Sequence, residues 1–336
     1  MGNRPGSCRA FRYDMHPRSA VERENGSSSR TQPGALTGPP PAHMRPADLF
    51  QLLMLACAWG GAYLFMRAAV PAFGAAPMVF LRLAMGSLLV LLPLTLWKFG
   101  PGPLIRHWKP LLIYGTLFTA VPFIGLGWSA RSISAGLLAV LQSAAPLFSA
   151  LIARWWTKEP ITPMRAAGLV IGFAGVTLLV WDQIGVRSDA GLAIIVTLLV
   201  TVLWGVSSNY ARTLHDVDPI VLATGSIGIG ALVLAPSAMM NWPQQAPGLR
   251  AWAEVTFMGI VASGCGFLLY FGLIRRIGAV RATSVSFLTP VVTMILGALY
   301  LGEALTLRMI TACAVIIVGT ALTLDLVPRL GKRAKG

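Results

Sequence analysis

Between Leu49 and Asp325 the chain divides into ten apolar stretches, at residues 49–66, 77–97, 111–130, 133–156, 164–181, 190–211, 219–239, 252–274, 280–300 and 307–325. Each is close to the roughly 20 residues that cross a bilayer as a helix. Continuous runs such as Leu88 to Leu96 and Ala312 to Ile317 do not alternate in polarity, so membrane β-strands are excluded. An open sheet would leave its edge groups unbonded in lipid. The expected fold is an all-α polytopic membrane protein with ten transmembrane helices. Composition agrees, since only 12% of the 336 residues are charged, about half the share of a soluble domain. No length remains for a soluble catalytic domain.

Residues 1–47 are rich in Arg, Ser, Gly and Pro and end in Thr37-Gly38-Pro39-Pro40-Pro41, so they bury too little surface to fold. They read as a disordered cytoplasmic tail. Met44 is an alternative start, which would leave residues 1–43 untranslated. The excess of 27 basic over 12 acidic residues resembles a nucleic-acid binder's, but eleven of the basic residues lie in the two tails. No nucleic-acid partner is therefore expected; the partners are a small-molecule substrate and the lipid bilayer. Cys57, Cys265 and Cys313 lie in apolar segments and Cys8 in the polar tail, so no disulfide framework, metal site or cofactor follows.

Basic residues between the stretches set the orientation. With the N-terminus inside, the inner loops carry ten (Lys98, Arg106, Lys109, Arg154, Lys158, Arg165, Arg212, Arg275, Arg276 and Arg281) and the outer loops five (Arg67, Arg131, Arg187, Arg250 and Arg308). The basic tail 326–336 adds four more, so both termini are expected in the cytoplasm. Trp97, Trp108, Trp155, Trp156, Trp181, Trp242 and Trp252 fall where interfacial aromatic belts are expected.

A shift of 144 residues superimposes Phe123 on Phe267, Arg131 on Arg275, Pro146 on Pro290, Glu159 on Glu303, Thr162 on Thr306 and Gly175 on Gly319. A shift of 145 superimposes Trp59, Gly60 and Arg67 on Trp204, Gly205 and Arg212. The halves are residues 48–182 and 189–325, five stretches each. An odd-numbered repeat enters the membrane from the opposite side, so the halves are expected to be inverted copies with a binding site at their junction.

The order Trp59-Gly60, Arg67, Pro77, Leu81-Arg82, Pro146, Glu159, Gly175, then Pro290, Gly302-Glu303 and Gly319, resembles the EamA-type transporters of the drug/metabolite transporter superfamily. The resemblance spans about residues 48 to 325; Lys158 stands where the pattern has glycine. It implies a ten-helix secondary carrier in the inner membrane of a bacterial cell, often an exporter of amino acids or other small metabolites, working without ATP.

Matching polar stripes occur at helical spacing: Gln142, Pro146, Ser149 and Ala153 on the fourth stretch, and Ser286, Pro290, Thr293 and Gly297 on the ninth. A polar stripe beside a proline belongs against protein or a water-filled cavity, because proline frees a carbonyl. These faces are candidate cavity walls, with Pro146, Pro290 and Gly297 as hinge or packing positions; close helix packing by small residues is the alternative. Gln142 is the member packing explains least. Trp59 and Tyr63 match Trp204 and Ser208, with Asn209 adjoining, and suit an organic ligand. Interfacial anchoring, or an interhelical hydrogen bond for Asn209, is the other reading. Arg82 is a full charge well inside a predicted span, either a carboxylate ligand or a side chain snorkelling outward.

Glu159 and Glu303 precede Thr162 and Thr306 at the start of the next stretch, where a carboxylate complements that helix's dipole. With the other acids in loops or at helix ends, no proton relay is visible, and exchange or facilitated export is the expectation. Gly168, Gly172 and Gly175 form a close-packing face, within the chain or at a homodimer seam. No His-Glu-x-x-His or Gly-x-Ser-x-Gly motif is present, so an enzyme is not expected. A phosphate-bearing nucleotide-sugar or lipid substrate would need several cavity cations, whereas a drug or organic-cation exporter would use the aromatic walls.

Overall fold

A computed structural model describes residues 45–156, 161–181, 189–277, 282 and 284–324, all of which belong to one compact unit. The expected tails, Lys158, Glu159, Arg187 and Arg281 lie outside the described residues. Among the described residues eight helices are long and apolar enough to cross a membrane: α1 Pro46–Phe73, α2 Ala75–Phe99, α3 Trp108–Ser129, α4 Ala135–Trp156, α5 Pro163–Val180, α6 Asp189–Ala211, α7 Pro219–Met240 and α8 Leu249–Ile277. Two shorter apolar helices complete the bundle, α9 Val285–Leu301 and α10 Leu307–Thr323. A one-turn helix at Gly102–Arg106 joins α2 to α3.

Local chemistry sets the ends. Ser134, Thr162 and Thr306 accept from the amides of Leu137, Arg165 and Met309 at 3.1–3.3 Å, and the Asp218 carboxylate caps α7 through Ile220 at 2.8 Å. Gly74, at φ +77°, lets α1 turn into α2 in a single residue. The first helix runs seven residues beyond its expected end at 66, so Arg67 is not in a loop. Its Nη1 donates to the carbonyl of Ala130, which offsets part of the cost of placing a guanidinium there.

Several spans are not uniform. α2, α3 and α8 contain π-helical segments at Ser87–Leu91, Thr116–Ala120 and Phe257–Cys265, and α4 breaks at Ser143 and Ala144. Three of these have a proline cause. Pro93 has no N–H for the carbonyl of Leu89, Pro122 none for that of Phe118, and Pro146 none for that of Gln142.

Helix packing interleaves the halves. α1 packs on α8 and α9, whereas α6 packs on α3 and α4. A Cβ on Gly60 would lie 2.9 Å from Val292, and one on Gly205 2.9 Å from the amide nitrogen of Ser149. The face of Gly168, Gly172 and Gly175 meets α10 of the same chain. A Cβ on Gly319 would lie 2.3 Å from the nitrogen of Gly172 and 2.5 Å from its Cα. The two backbones therefore touch without intervening side chains. Trp97, Trp155 and Trp181 are exposed, as lipid or interfacial anchors would be. Trp252 instead meets Phe73 edge-on, ring centroids 5.0 Å apart.

Candidate functional site

A cavity of about 650 Å³ lies at the junction of the halves. Its deep end holds Arg82, Phe123 and Leu126, and it extends to Arg165, Arg212 and Leu324 at the ends of α5, α6 and α10. Arg212 is exposed, so the space is continuous from the buried interior to one end of the bundle. Aromatic rings contribute to its wall, among them Tyr63, Phe118, Phe267 and Tyr270. A volume of this size with few polar groups suits a small organic molecule.

Arg82 does not snorkel. It is 6% exposed and faces the cavity, with Nε donating to Ser263 Oγ at 2.9 Å and Cζ 4.3 Å from the Phe123 ring centroid. Among the described residues no carboxylate ion-pairs with it, and none accepts a hydrogen bond from its terminal nitrogens. Ser263 lies on the π-helical stretch of α8, whose widened turn places the hydroxyl against α2.

On α4, Gln142, Pro146, Ser149 and Ala153 all line the cavity. Gln142 Oε1 accepts from Thr201 Oγ1 of α6 at 3.2 Å, and its buried Nε2 has no partner. Ser149 Oγ lies 2.9 Å from Ser208 Oγ. Asn209 does not border the space; its Nδ2 donates to the carbonyls of Ser149 and Gly205, both at 2.9 Å, tying α6 to α4. On α9, Ser286 and Pro290 line the cavity, but Thr293 donates to the Gly60 carbonyl at 3.2 Å and is fully buried. Gly297 also lies away from it, where a Cβ would come within 2.7 Å of Glu303 Oε2.

Trp59 and Trp204 line the cavity and play matched roles. Trp204 Nε1 donates to the Phe118 carbonyl at 2.9 Å, the acceptor left open by Pro122. Trp59 Nε1 donates to the Ala262 carbonyl at 3.1 Å, within the π-helical turn of α8. Each indole thus bonds a carbonyl of the other half and turns only its ring to the ligand space. Tyr63, at mid-helix, lines the same wall and is no interfacial anchor.

At the opposite end of the bundle, the residues around Glu303 do not line the cavity. Glu303 complements a helix dipole, but not that of the helix after it. Its Oε1 accepts from Ala135 N at 2.9 Å and its Oε2 from Gly136 N at 3.3 Å, at the start of α4. Left-handed Gly302 ends α9 and the missing Cβ of Gly297 makes room, so the carboxylate reaches across instead of forward. Arg250 pairs with Glu254 at 3.1 Å and lies 4.9 Å from the Tyr300 ring centroid at the same end. Among the described residues no group of three His, Cys, Asp or Glu could hold a metal ion.

The sequence profile of the EamA-like transporter family matches twice, over residues 48–181 and 191–325. The chain belongs to that family. An uncharacterized transporter of Archaeoglobus fulgidus is 24% identical over 265 residues, covering 78% of this chain and 92% of the relative. A probable terminal-alkyne amino-acid exporter of Streptantibioticus cattleyicolor is 23% identical, covering 76% and 86%. The uncharacterized inner membrane transporter YedA of Escherichia coli is 25% identical, covering 77% and 83%. A solved crystal structure superposes with a TM-score of 0.64 at 20% identity, over 85% of this chain and all of the other, which establishes likeness of fold.

This EamA-type chain also uses residues that the sequence reading passed over. Ser263 has a visible signal, because the 144 shift pairs it with Thr119 of α3. Thr201 had none, as it sits in an ordinary apolar helix. Arg165 and Arg212 counted only as loop charges, yet both line the cavity mouth.

Proposed function

We propose that this EamA-family protein is a secondary transporter that exports small amphipathic metabolites, amino-acid-like compounds among them, across the inner membrane by alternating access. In this reading ten helices cross the bilayer as two inverted five-helix repeats, with both termini cytoplasmic, and the cavity mouth at Arg165 and Arg212 faces the cytoplasm. One observation carries it: a ligand-sized cavity between the two halves reaches the Arg165 end, while no residue of the Glu303 end lines it. A carrier needs such one-sided access, whereas a channel would be continuous through the bundle. The cross-bonding of Trp59 and Trp204 supports it, since matched contacts give the molecule two nearly equivalent packings.

The test uses Ser149→Cys in a background with the native cysteines replaced by serine. In oriented membranes a carrier gives labelling by an impermeant maleimide from either face, and a blocker trapped on one face suppresses labelling from the other. Labelling from a single face under every condition would refute alternating access. This readout requires no knowledge of the substrate.

A further inference from the structure

Among the described residues, the charged side chains that line the cavity are of one sign. Arg82 lies at its deep end, Arg165 and Arg212 at its mouth, and no Asp or Glu lines it among the described residues. Three acids of the described residues are committed elsewhere. Asp48 pairs with Arg276 at 3.2 Å, Glu254 with Arg250 at 3.1 Å, and Glu303 with the amides of Ala135 and Gly136. Two of the polar groups that remain open are nitrogen donors. Arg82 has spent Nε on Ser263 and one face on Phe123, which fixes the guanidinium while leaving its terminal nitrogens unbonded among the described residues. Gln142 has spent its oxygen on Thr201, which leaves Nε2 as a buried donor without an acceptor.

A buried unpaired cation and a buried unpaired amide are both costly until a ligand supplies acceptors. A carboxylate matches the planar fork of a guanidinium. An α-ammonium group, in contrast, would sit next to the carboxylate it accompanies, and hence near Arg82, with no acidic side chain to receive it. Resting on the carrier reading above, we infer that the preferred substrate is an amphipathic organic anion: a carboxylate on an aromatic or aliphatic body without an amine. Its carboxylate binds the terminal nitrogens of Arg82, an acceptor on it meets Nε2 of Gln142, and its body lies against Phe118, Phe267 and Tyr270.

The test compares four phenyl probes that share a body and differ in head group, namely hydrocinnamate, phenylalanine, hydrocinnamamide and phenethylamine, in thermal-shift and calorimetric titrations of the purified full-length protein. Hydrocinnamate is expected to raise Tm and bind at least about tenfold more tightly than the other three, the difference a charge-assisted pair confers. Arg82→Gln is expected to abolish that binding and Arg82→Lys to weaken it, because lysine cannot reproduce the fork. Should Arg82→Gln fail to fold, the wild-type ranking decides alone. Equal or tighter binding of phenylalanine would overturn the anion assignment and leave the carrier reading standing. Binding led by phenethylamine would overturn it in favour of organic cations. Binding of none of the four would also overturn it, while the two-sided labelling at position 149 would still judge the carrier independently.

Discussion

Gln142 separates stability from function. Its unpaired buried Nε2 is a cost to the empty protein, of about 1–3 kcal/mol for a group of this kind. Gln142→Leu removes that donor with little change in volume, at the loss of one acceptor for Thr201, whose hydroxyl keeps its bond to the Thr197 carbonyl at 2.7 Å. The variant is expected to express and melt at or slightly above the wild-type temperature, while uptake into inside-out vesicles falls by about tenfold or more. Unchanged uptake would remove Gln142 from the ligand's contacts. The residue was legible in the sequence because a long polar side chain four positions before a proline, inside lipid, has few structural uses. Asn209 and Thr293 are likewise polar residues inside apolar helices, yet they face neighbouring helices, because spacing along one helix cannot say which neighbour stands opposite. Arg82 was ambiguous for a physical reason: snorkelling and inward binding differ only in what lies across from the side chain, and Ser263 is 181 residues away.

Among the elements, the α5–α10 crossing has the least tolerance. A Cβ at Gly319 would occupy the position of the Gly172 backbone, so the helices must separate by the size of a methyl group. Gly319→Ala is expected to lower stability by about 1–3 kcal/mol, the cost of overpacking a rigid contact. Gly102→Ala, with nothing within 4 Å of the added carbon, is expected to be neutral. Thermal denaturation of the two variants in the same detergent checks both, and a silent Gly319→Ala would show that α10 shifts freely on α5. The glycine spacing was readable; its partner was not, because a homodimer seam and an intramolecular crossing make the same demand on one helix. Interruptions of the spans were partly readable from Pro93, Pro122 and Pro146. The π-helical stretch of α8 has no proline within it, and its open carbonyl is satisfied by Trp59 from a distant segment.

At the scale of the whole molecule, the 144-residue repeat announced two similar halves, but not that each half would give its first helix to the other. That exchange puts the cavity walls under joint control. α4 is held at its start by Glu303 from α9 and along its length by Asn209 from α6, so opening the Glu303 end requires the carboxylate to leave two amides and a helix dipole. Charge at a helix N-terminus contributes about 0.3–1 kcal/mol when exposed and up to about 2 when partly buried. Glu303→Gln keeps an acceptor but loses the charge and turns an N–H₂ group toward one of the amides. Under the carrier reading this shifts the balance between the two access states by about 5- to 30-fold toward opening at the Glu303 end, the factor that 1–2 kcal/mol confers. The expected readout is faster maleimide labelling of Ser149→Cys from the outer face and slower labelling from the cytoplasmic face, with Tm nearly unchanged. A fall in Tm with no redistribution of labelling would make Glu303 a local cap of α4 and nothing more, and closure at that end would then rest on Arg67 and on the Arg250–Tyr300 contact.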